Sequence, residues 1–330
     1  MKQIKNYPIS SSPLYKLSNK AKLAELLGVD KGYLFHFKYT RDNYKCWERP
    51  KKSGKGTRPV EDPNYELKKI QSKLNKLLSR ITTAAYLMSS KKHSSYILNA
   101  QYHKDNPYVF CFDLSKFFQK ATRKYIFKAF VNEFKMSDDL AWLITDLVTI
   151  PNEDNSDGYI PTGSPSSQSI IYWAYKTMFD KILSIAEQKQ LKFSLYVDDM
   201  TFSSNKPIRS DFPKTIEKMC AKVGLEINDT KTKYFSCDKY KDITGCVITP
   251  NHELKVPNKR RKDLLDIIKN KIIEDMMVKE IRSVYGKLNS MRQIEPNIFP
   301  QVYKRVKRQY YKLGAQYSKN SIKSKEDYND

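Results

Sequence analysis

The stretch Phe193-Ser-Leu-Tyr-Val-Asp-Asp-Met-Thr-Phe-Ser203 places two adjacent aspartates between two alternating, strand-like runs. Because aspartate is a poor strand residue and a good turn residue, this pattern predicts a β-hairpin with Asp198 and Asp199 at its tip. No lysine or arginine lies between Lys192 and Lys206 to offset the repulsion between the two carboxylates. A divalent cation would offset it, since Mg²⁺ prefers carboxylate oxygen. We therefore predict that the chemistry takes place at this hairpin.

A site for two metal ions needs a third carboxylate, and Asp113 is the candidate. It ends the near-continuous apolar run 109–112, which is typical of a buried strand. An acid at a strand end beside the hairpin pair can help to hold two Mg²⁺ ions about 4 Å apart, an arrangement that serves phosphoryl transfer. Taken alone, Asp113 could equally be a helix N-cap. Its combination with the hairpin favours the metal site.

The composition indicates a polyanionic partner. The chain has 330 residues and a formal net charge of +24, and such an excess adds self-repulsion without helping folding. An anionic membrane is the competing partner, but the sequence has no run of about 18 apolar residues and no secretory signal. The five cysteines are scattered without a CxxC pair, so neither a disulfide framework nor a zinc site is indicated. We predict a cytoplasmic protein that binds nucleic acid and no membrane.

Two basic segments are candidates for phosphate contact. The loop 51–59 carries two glycines and several cations, which can surround a phosphate although the spacing is not that of a P-loop. The second segment, 300–313, has helical spacing with an apolar face and a basic face. The cations of the basic face are Lys304, Arg305, Lys307, Arg308 and Lys312. A solvated face is the alternative, but cations without an acidic partner four residues away favour phosphate contact.

The coarse pattern also predicts several helices. Helical spacing occurs over 14–28, about 65–80, 122–149, 167–187 and 211–223. Residues 22–34 superficially resemble a helix-turn-helix DNA reader, with a small N-terminal helical cap as the alternative interpretation.

Two segments resemble the catalytic motifs of reverse transcriptases. Asp113-Leu-Ser-Lys-Phe-Phe118 is similar to motif A, and Tyr196-Val-Asp-Asp-Met200 is similar to motif C. The chain also resembles, in the expected order, the fingers motif over 58–69, motif B over 161–167 and motif D over 225–232. The resemblance implies an α+β, right-hand polymerase fold. Its parts would be an N-terminal helical extension over 1–48, fingers over 49–112, a palm with an antiparallel sheet over 113–250, including fingers elements around 120–165, and a basic helical thumb over 251–330.

The resemblance also implies roles at the catalytic centre. Asp113 and Asp198 would hold two Mg²⁺ ions, for which Mn²⁺ is a substitute, with the backbone carbonyl of Leu114 as a further ligand. Asp199 would be a catalytic acid and a supporting ligand. Arg58 would neutralise charge on the triphosphate of an incoming dNTP, with assistance from Lys231.

The nucleotide pocket is implied by motifs A and B. Phe118 would exclude a ribose 2′-OH, with core packing as the alternative role and Phe117 as the alternative core residue. Gly163 and Ser164 would contact the nucleotide, although Thr162 stands where the family usually has glutamine. A second departure is Val197, at a position that is often alanine in retron enzymes.

Two further signatures resemble those of retron reverse transcriptases. Asn99-Ala-Gln-Tyr-His103 is similar to their NAxxH pattern, and Ile243-Thr-Gly245 is similar to their VTG triplet. Asn99, His103, Thr244 and Gly245 are therefore candidates for RNA contact. The resemblance implies a cognate structured noncoding RNA as template, a branched msDNA product primed from an RNA 2′-OH, and an accessory effector protein in phage defence. The alternatives are another bacterial reverse transcriptase, of group II intron or diversity-generating type, and a non-catalytic nucleic-acid-binding regulator.

Overall fold

The computed structural model of the chain describes residues 6–51, 56–154 and 156–326. Residues 52–55 of the predicted basic loop lie outside the described residues. Helices and small sheets are mixed along the chain, as an α+β fold requires. None of the helices in the described ranges is long and apolar enough to cross a membrane.

Two sets of elements build the described structure. The helices are α1 (Lys20–Leu27), α2 (Lys31–Phe35), α3 (Tyr65–Leu78), α4 (Tyr96–His103), α5 (Phe117–Lys120), α6 (Arg123–Asn132), α7 (Asp138–Val148), α8 (Ser167–Gln188), α9 (Asp211–Ala221), α10 (Asn258–Lys269), α11 (Val278–Arg292) and α12 (Pro300–Glu326). The strands are β1 (Tyr44–Pro50), β2 (Thr57–Pro63), β3 (Tyr108–Ser115), β4 (Ile150–Pro151), β5 (Gly158–Tyr159), β6 (Lys192–Tyr196), β7 (Asp199–Ser204), β8 (Glu226–Ile227), β9 (Lys233–Phe235), β10 (Lys241–Ile243), β11 (Cys246–Ile248) and β12 (Leu254–Lys255).

The chain divides into two compact units, each built from two segments. Unit 1 comprises the described residues up to 95 together with 110–234, and unit 2 comprises 96–109 together with the described residues from 235. This division differs from the predicted segment boundaries in two places. Residues 96–109, assigned to the fingers, and 235–250, assigned to the palm, both cluster with the C-terminal helices.

A five-stranded sheet organises unit 1. Its strand order is β6-β7-β3-β8, and β9 also pairs with β3. Phe112, Phe193 and Phe202 are buried on it, and the rings of Phe193 and Phe202 stack at 4.9 Å. Each buried phenylalanine contributes about 1.5–3 kcal/mol through the hydrophobic effect. Because β3 lies beside β7, the sheet brings the strand that carries Asp113 next to the strand that begins at Asp199.

The N-terminal segment forms a small helical cap. Asn19 caps α1 by accepting backbone hydrogen bonds from Ala21 and Lys22, and the helix ends at Gly28 with φ +68°. The next helix, α2, has five residues, and its Leu34 is buried. A helix of this length is too short to present a row of side chains to a DNA groove. The structure therefore favours the helical-cap interpretation over a DNA reader.

Unit 2 combines helices with the three-stranded sheet β10-β11-β12. Helix α4 packs against β11, and α11 packs against α12. Their buried side chains include Ile97, Cys246, Leu288 and Val306. The last of these lies on α12, whose apolar face was predicted from the spacing in 300–313.

Candidate active site

The predicted catalytic hairpin is present, and its turn has two residues. β6 and β7 are antiparallel with Tyr196 opposite Asp199, so that Val197 and Asp198 form the turn. Val197 has φ +58°, a left-handed conformation that a β-branched residue rarely adopts. Its N–H donates to the Ser89 hydroxyl at 3.0 Å, which helps to hold the turn. Strain of this kind costs about 1–3 kcal/mol and is typical of functional sites.

Asp113 is anchored to the hairpin through the backbone of its neighbour. The Leu114 N–H donates to the Asp198 carbonyl at 3.0 Å, which joins β3 to the turn. Asp113 is only 8% exposed, although its carboxylate reaches the surface of the site. The Asn228 N–H donates to the Asp113 carbonyl at 2.8 Å from the other side. The structure therefore brings Asp113 together with Asp198 and Asp199, although Asp113 lies 85 residues before Asp198 in the sequence.

The two hairpin carboxylates resist ionisation. Burial raises the pKa of Asp198, and the negative charge of Asp113 raises it further. Burial raises the pKa of Asp199 to about 7, with added repulsion from Asp198 and Asp113. Such shifts mark a cluster of acids that requires a positive charge, and they are common at functional sites.

Lys231 supplies part of that positive charge. Its ammonium group lies 2.7 Å from the Asp113 carboxylate. Burial alone would lower the pKa of Lys231, but the hydrogen bond and attraction to Asp113 outweigh it and raise the pKa. The sequence predicted that Lys231 assists at the triphosphate; the structure places it on a carboxylate instead. The Asn228 amide also donates to the Asp113 carboxylate at 3.4 Å.

The chemistry of these donors fits a hard divalent cation. The three carboxylates repel one another, and this repulsion contributes to the raised pKa values of Asp198 and Asp199. Bound Mg²⁺ would offset the repulsion. Among the described residues, however, no group of three acidic, histidine or cysteine side chains is already arranged to hold a metal ion. The ammonium of Lys231 pairs with one oxygen of the Asp113 carboxylate. A cation held at that oxygen would compete with Lys231.

Arg58 lies on β2 with its side chain exposed. Its positive charge lowers the pKa of Asp198 relative to the value that burial would otherwise impose. The role of Arg58 at a triphosphate stays a prediction. An exposed guanidinium group suits this role, because guanidinium binds phosphate oxygens well.

A polar cavity of about 320 Å³ lies beside motif B. Phe118, Thr162 and Ser164 line it, together with Gln168 from α8. Phe117, by contrast, is 2% exposed and packs against Tyr175 and Phe179 in the core. The structure thus places Phe117 in the core and Phe118 at the cavity, and the gate role of Phe118 stays a prediction.

Glu61 on β2 holds the motif B loop through hydrogen bonds. The sequence predicted no role for this residue. Glu61 is 1% exposed and accepts hydrogen bonds from the Thr162 N–H and hydroxyl at 2.9 Å each and from the Tyr159 hydroxyl at 3.2 Å. Thr162, which replaces the usual glutamine, therefore binds protein. The Gly163 N–H donates to the Glu61 carbonyl at 3.1 Å, and a Cβ at Gly163 would lie 2.5 Å from that oxygen. No sequence pattern indicates which strand face a distant loop will cover.

The two retron-like signatures meet inside unit 2. The Asn99 amide donates to the Thr244 hydroxyl at 3.3 Å, and that hydroxyl donates to the Tyr96 carbonyl at 3.1 Å. Thr244 and Gly245 form the β10–β11 turn with φ +47° and +87°. Asn99 and His103 are fully buried, which argues against direct RNA contact by their side chains and favours a packing role. Thr244 and Gly245 are partly exposed, so RNA contact at the turn stays a prediction.

The basic face of α12 is exposed, but one of its cations is paired. Arg305 lies 2.9 Å from Glu274, an acid 31 residues earlier in the chain, whereas the prediction concerned only partners four residues away. Lys304, Lys307 and Arg308 are exposed. They remain candidates for phosphate contact.

A tyrosine cluster that the sequence did not reveal lies beside these cations. The Tyr285 ring on α11 stacks on Tyr310 at 4.4 Å and on Tyr303 at 6.0 Å, and the Arg292 guanidinium lies 4.3 Å from the Tyr303 ring. The helical spacing of Tyr303 and Tyr310 was visible in the sequence, whereas their partner on a separate helix was not. Partly exposed tyrosines beside cations suit stacking on unpaired bases.

Comparison with known families decides the assignment. Residues 50–253 match the family described as Reverse transcriptase (RNA-dependent DNA polymerase), which is more than half of the chain. The chain belongs to the reverse transcriptase family. This membership confirms the resemblance predicted from the ordered motifs and, with it, the right-hand polymerase fold class.

The curated relatives of this family member are retron enzymes. The Retron Ec83 reverse transcriptase of Escherichia coli is 24% identical over 299 residues, covering 87% of this chain and 91% of that protein. The Retron Se72 reverse transcriptase of Salmonella heidelberg is 27% identical over 216 residues, covering 64% and 55%. The chain thus spans about half the length of the Se72 enzyme. A solved telomerase from Candida albicans aligns with a TM-score of 0.46 at 11% identity over 82% of this chain and 61% of that chain, which is too weak to carry an argument.

Proposed function

We propose that the protein is an RNA-directed DNA polymerase of the retron kind. The observation that carries this proposal is the gathering of Asp113, Asp198 and Asp199 on neighbouring strands, with Lys231 paired to Asp113 and an exposed Arg58 on β2. Clustered carboxylates opposite cations suit nucleotidyl transfer, in which a primer hydroxyl attacks the α-phosphate of a dNTP and pyrophosphate leaves. Similarity to retron reverse transcriptases supports the choice of an RNA template.

Each residue of the site has a distinct task in this reaction. Asp113 and Asp198, with the Leu114 carbonyl, would hold two Mg²⁺ ions, and Asp199 would support them through charge. Bound Mg²⁺ supplies activation of the attacking hydroxyl and stabilisation of charge on the leaving group. Arg58 and Lys231 would neutralise charge on the triphosphate, and Lys231 would have to leave Asp113 to do so.

Nucleotide selection would take place in the cavity beside motif B. Phe118 lines this cavity, and its ring would exclude a ribose 2′-OH from a nucleotide bound there. Ser164 lines the same cavity, and Glu61 holds the neighbouring Gly163 on β2. We therefore expect strong preference for deoxynucleotides over ribonucleotides.

Primer extension tests the polymerase assignment. Purified protein with Mg²⁺, dNTPs and a primed RNA template should extend the primer, and Asp198→Asn should abolish extension. Asp263→Asn on α10 is the matched control, because it removes the same charge from an exposed position outside the candidate site. Full activity of Asp198→Asn would refute the catalytic assignment, and inactivity of the wild-type protein would favour a non-catalytic nucleic-acid-binding regulator.

The retron-specific part of the proposal needs a separate experiment. Similarity to three retron enzymes supports a cognate structured noncoding RNA, priming from an RNA 2′-OH, a branched msDNA product and an accessory effector in cytoplasmic phage defence. Co-expression with the flanking noncoding locus should yield a DNA that remains attached to RNA after protease treatment and is freed by a 2′,5′-debranching enzyme. Extension of added primers without any branched product would instead favour another bacterial reverse transcriptase.

The same proposal assigns RNA contact to unit 2. Exposed Lys304, Lys307 and Arg308 with the neighbouring tyrosine cluster would bind phosphate and unpaired bases. Loss of Lys307 should reduce RNA affinity and its dependence on salt. Loss of Tyr310 should reduce affinity with little change in salt dependence, because stacking releases few counterions.

A further inference from the structure

A groove on unit 1 lies between α6, α8 and the C-terminal end of α9. Its volume is about 360 Å³, and it contains none of the residues assigned to the catalytic site or the nucleotide cavity. Most of its lining surface is apolar. The small or flexible apolar side chains in it are Ala129, Ala174, Met178, Met219 and Val223.

The dimensions of this groove match two turns of a helix. On α6 its lining runs from Tyr125 to Asn132, at positions that share one helical face, and this stretch is about 11 Å long at 1.5 Å per residue. On α8 the lining runs from Trp173 to Lys181, which is about 12 Å. Two helical walls of this length can receive the side chains of a third helix.

The rim of the groove is positively charged. Lys128, Lys181 and Lys222 are exposed there, and none of them forms an ion pair with any residue in the described ranges. The acid in the lining, Glu133, is already engaged, because it lies 3.8 Å from the Lys176 ammonium and accepts a hydrogen bond from Thr177. The rim therefore calls for an acidic occupant. A second copy of this chain would bring a net charge of +24 and is disfavoured.

The character of the floor favours protein over nucleic acid. Trp173 and Tyr175 are only 5% and 2% exposed, so their rings offer no face on which a base could stack. Methionine side chains adapt to irregular apolar partners and are common at protein-binding surfaces. We propose that this groove docks an amphipathic helix of a partner protein, with its apolar side chains in the groove and its acidic residues against the lysines.

A docked helix would contact the wall that supports the nucleotide gate. Tyr175 lines the groove, its hydroxyl donates to the Lys120 carbonyl at 3.1 Å, and its ring lies 5.7 Å from Phe117. Lys120 is the last residue of α5, the helix that carries Phe118. The docking surface is thus one packed layer away from the cavity that selects the nucleotide.

The proposal is tested with a fluorescein-labelled probe peptide of about four helical turns, carrying leucines on one face and glutamates beside them. Fluorescence anisotropy should show saturable binding to the wild-type protein. The triple variant Lys128→Glu, Lys181→Glu, Lys222→Glu should bind the peptide at least about tenfold more weakly than the wild type, because three attractions become repulsions. Ala174→Trp, which fills the groove without changing charge, should weaken binding to a similar degree.

Two controls separate docking from general attraction to a basic protein. The triple variant Lys69→Glu, Lys73→Glu, Lys76→Glu on α3 makes the same change in net charge and should bind the probe like the wild type. A peptide of the same composition with its leucines scattered around the helix should bind far less tightly. Equal binding to the two triple variants, no binding to the wild type, or displacement of the probe by a single-stranded RNA at equal concentration would overturn the proposal.

Discussion

Replacement of Asp199 by asparagine should stabilise the metal-free protein at neutral and alkaline pH. Burial and the neighbouring charges of Asp198 and Asp113 raise the pKa of Asp199 from 3.8 to about 7. The folded state therefore holds a proton that the unfolded chain releases, and ionisation of Asp199 above pH 7 works against folding. Asparagine keeps the shape of the side chain and removes the charge.

The size of the effect follows from the pKa difference. A change from 3.8 to about 7 corresponds to roughly 4 kcal/mol at 1.36 kcal/mol per tenfold change in proton affinity. Because Asp199 keeps partial exposure to solvent, we expect about half of this, roughly 2 kcal/mol at pH 8. With an unfolding entropy of about 2.1 cal/mol/K per residue, the melting temperature should rise by about 3 °C.

The sign of the pH dependence provides a second check. Between pH 3.8 and about 7 the folded state binds more protons at Asp199 than the unfolded state does, so the wild-type protein loses stability as the pH rises through this window. The advantage of Asp199→Asn should therefore be small at pH 5 and largest at pH 8.

Calorimetry or a dye-based melt in EDTA measures this difference without contributions from bound metal. Asp263→Asn serves as the control, because it removes a charge of the same sign from an exposed position on α10. It should leave the melting temperature nearly unchanged. If Asp199→Asn melts at or below the wild-type temperature at pH 8, or if its advantage does not shrink at pH 5, the electrostatic reasoning is refuted.

Three further substitutions test other features by urea unfolding. Val197→Gly should stabilise the protein by about 1 kcal/mol, because relief of the left-handed strain exceeds the entropy cost of glycine; a loss of stability would contradict this. Asn99→Ala should destabilise unit 2 by about 1–3 kcal/mol, since the partly buried Thr244 hydroxyl loses a donor, and an unchanged midpoint would argue against the packing role. Gly163→Ala should cost about 1–3 kcal/mol and raise the KM for dNTP, whereas unchanged kinetics would show that motif B tolerates displacement from Glu61.

The catalytic hairpin could be predicted from sequence because its signals are local. Alternation on both sides of Asp198 and Asp199 defines the strands, and two charges in succession indicate roughly where the turn lies. The turn itself is one residue earlier than predicted, at Val197 and Asp198, and Asp199 begins β7. The order of the motifs then predicted the partner strand of Asp113. The predicted helix over 122–149 was only partly right, because the structure has two helices, α6 and α7, with a break that includes Lys135 at φ +53°.

Features that depend on contacts between distant segments could not be predicted. Asn99 forms its hydrogen bond with Thr244, which lies 145 positions later in the chain. Glu61 accepts hydrogen bonds from a loop that lies 101 positions later. Lys231 could pair with either of two anions, the Asp113 carboxylate or a triphosphate, and the sequence alone favours neither. Side-chain partners of this kind follow from the fold, so no pattern along the chain reveals them.

The discontinuity of unit 2 has a consequence for synthesis on the ribosome. Helix α4 is made early, yet the turn that its Asn99 binds follows 145 residues later. At about 5–20 residues per second, the helix is exposed for roughly 7–30 s before that turn exists. During this interval its apolar face, including Ile97 and Ala100, has no native partner within unit 2 from β11. Unit 1 meanwhile must close its sheet around an unfinished insertion, which makes α4 a natural point for chaperone engagement during translation.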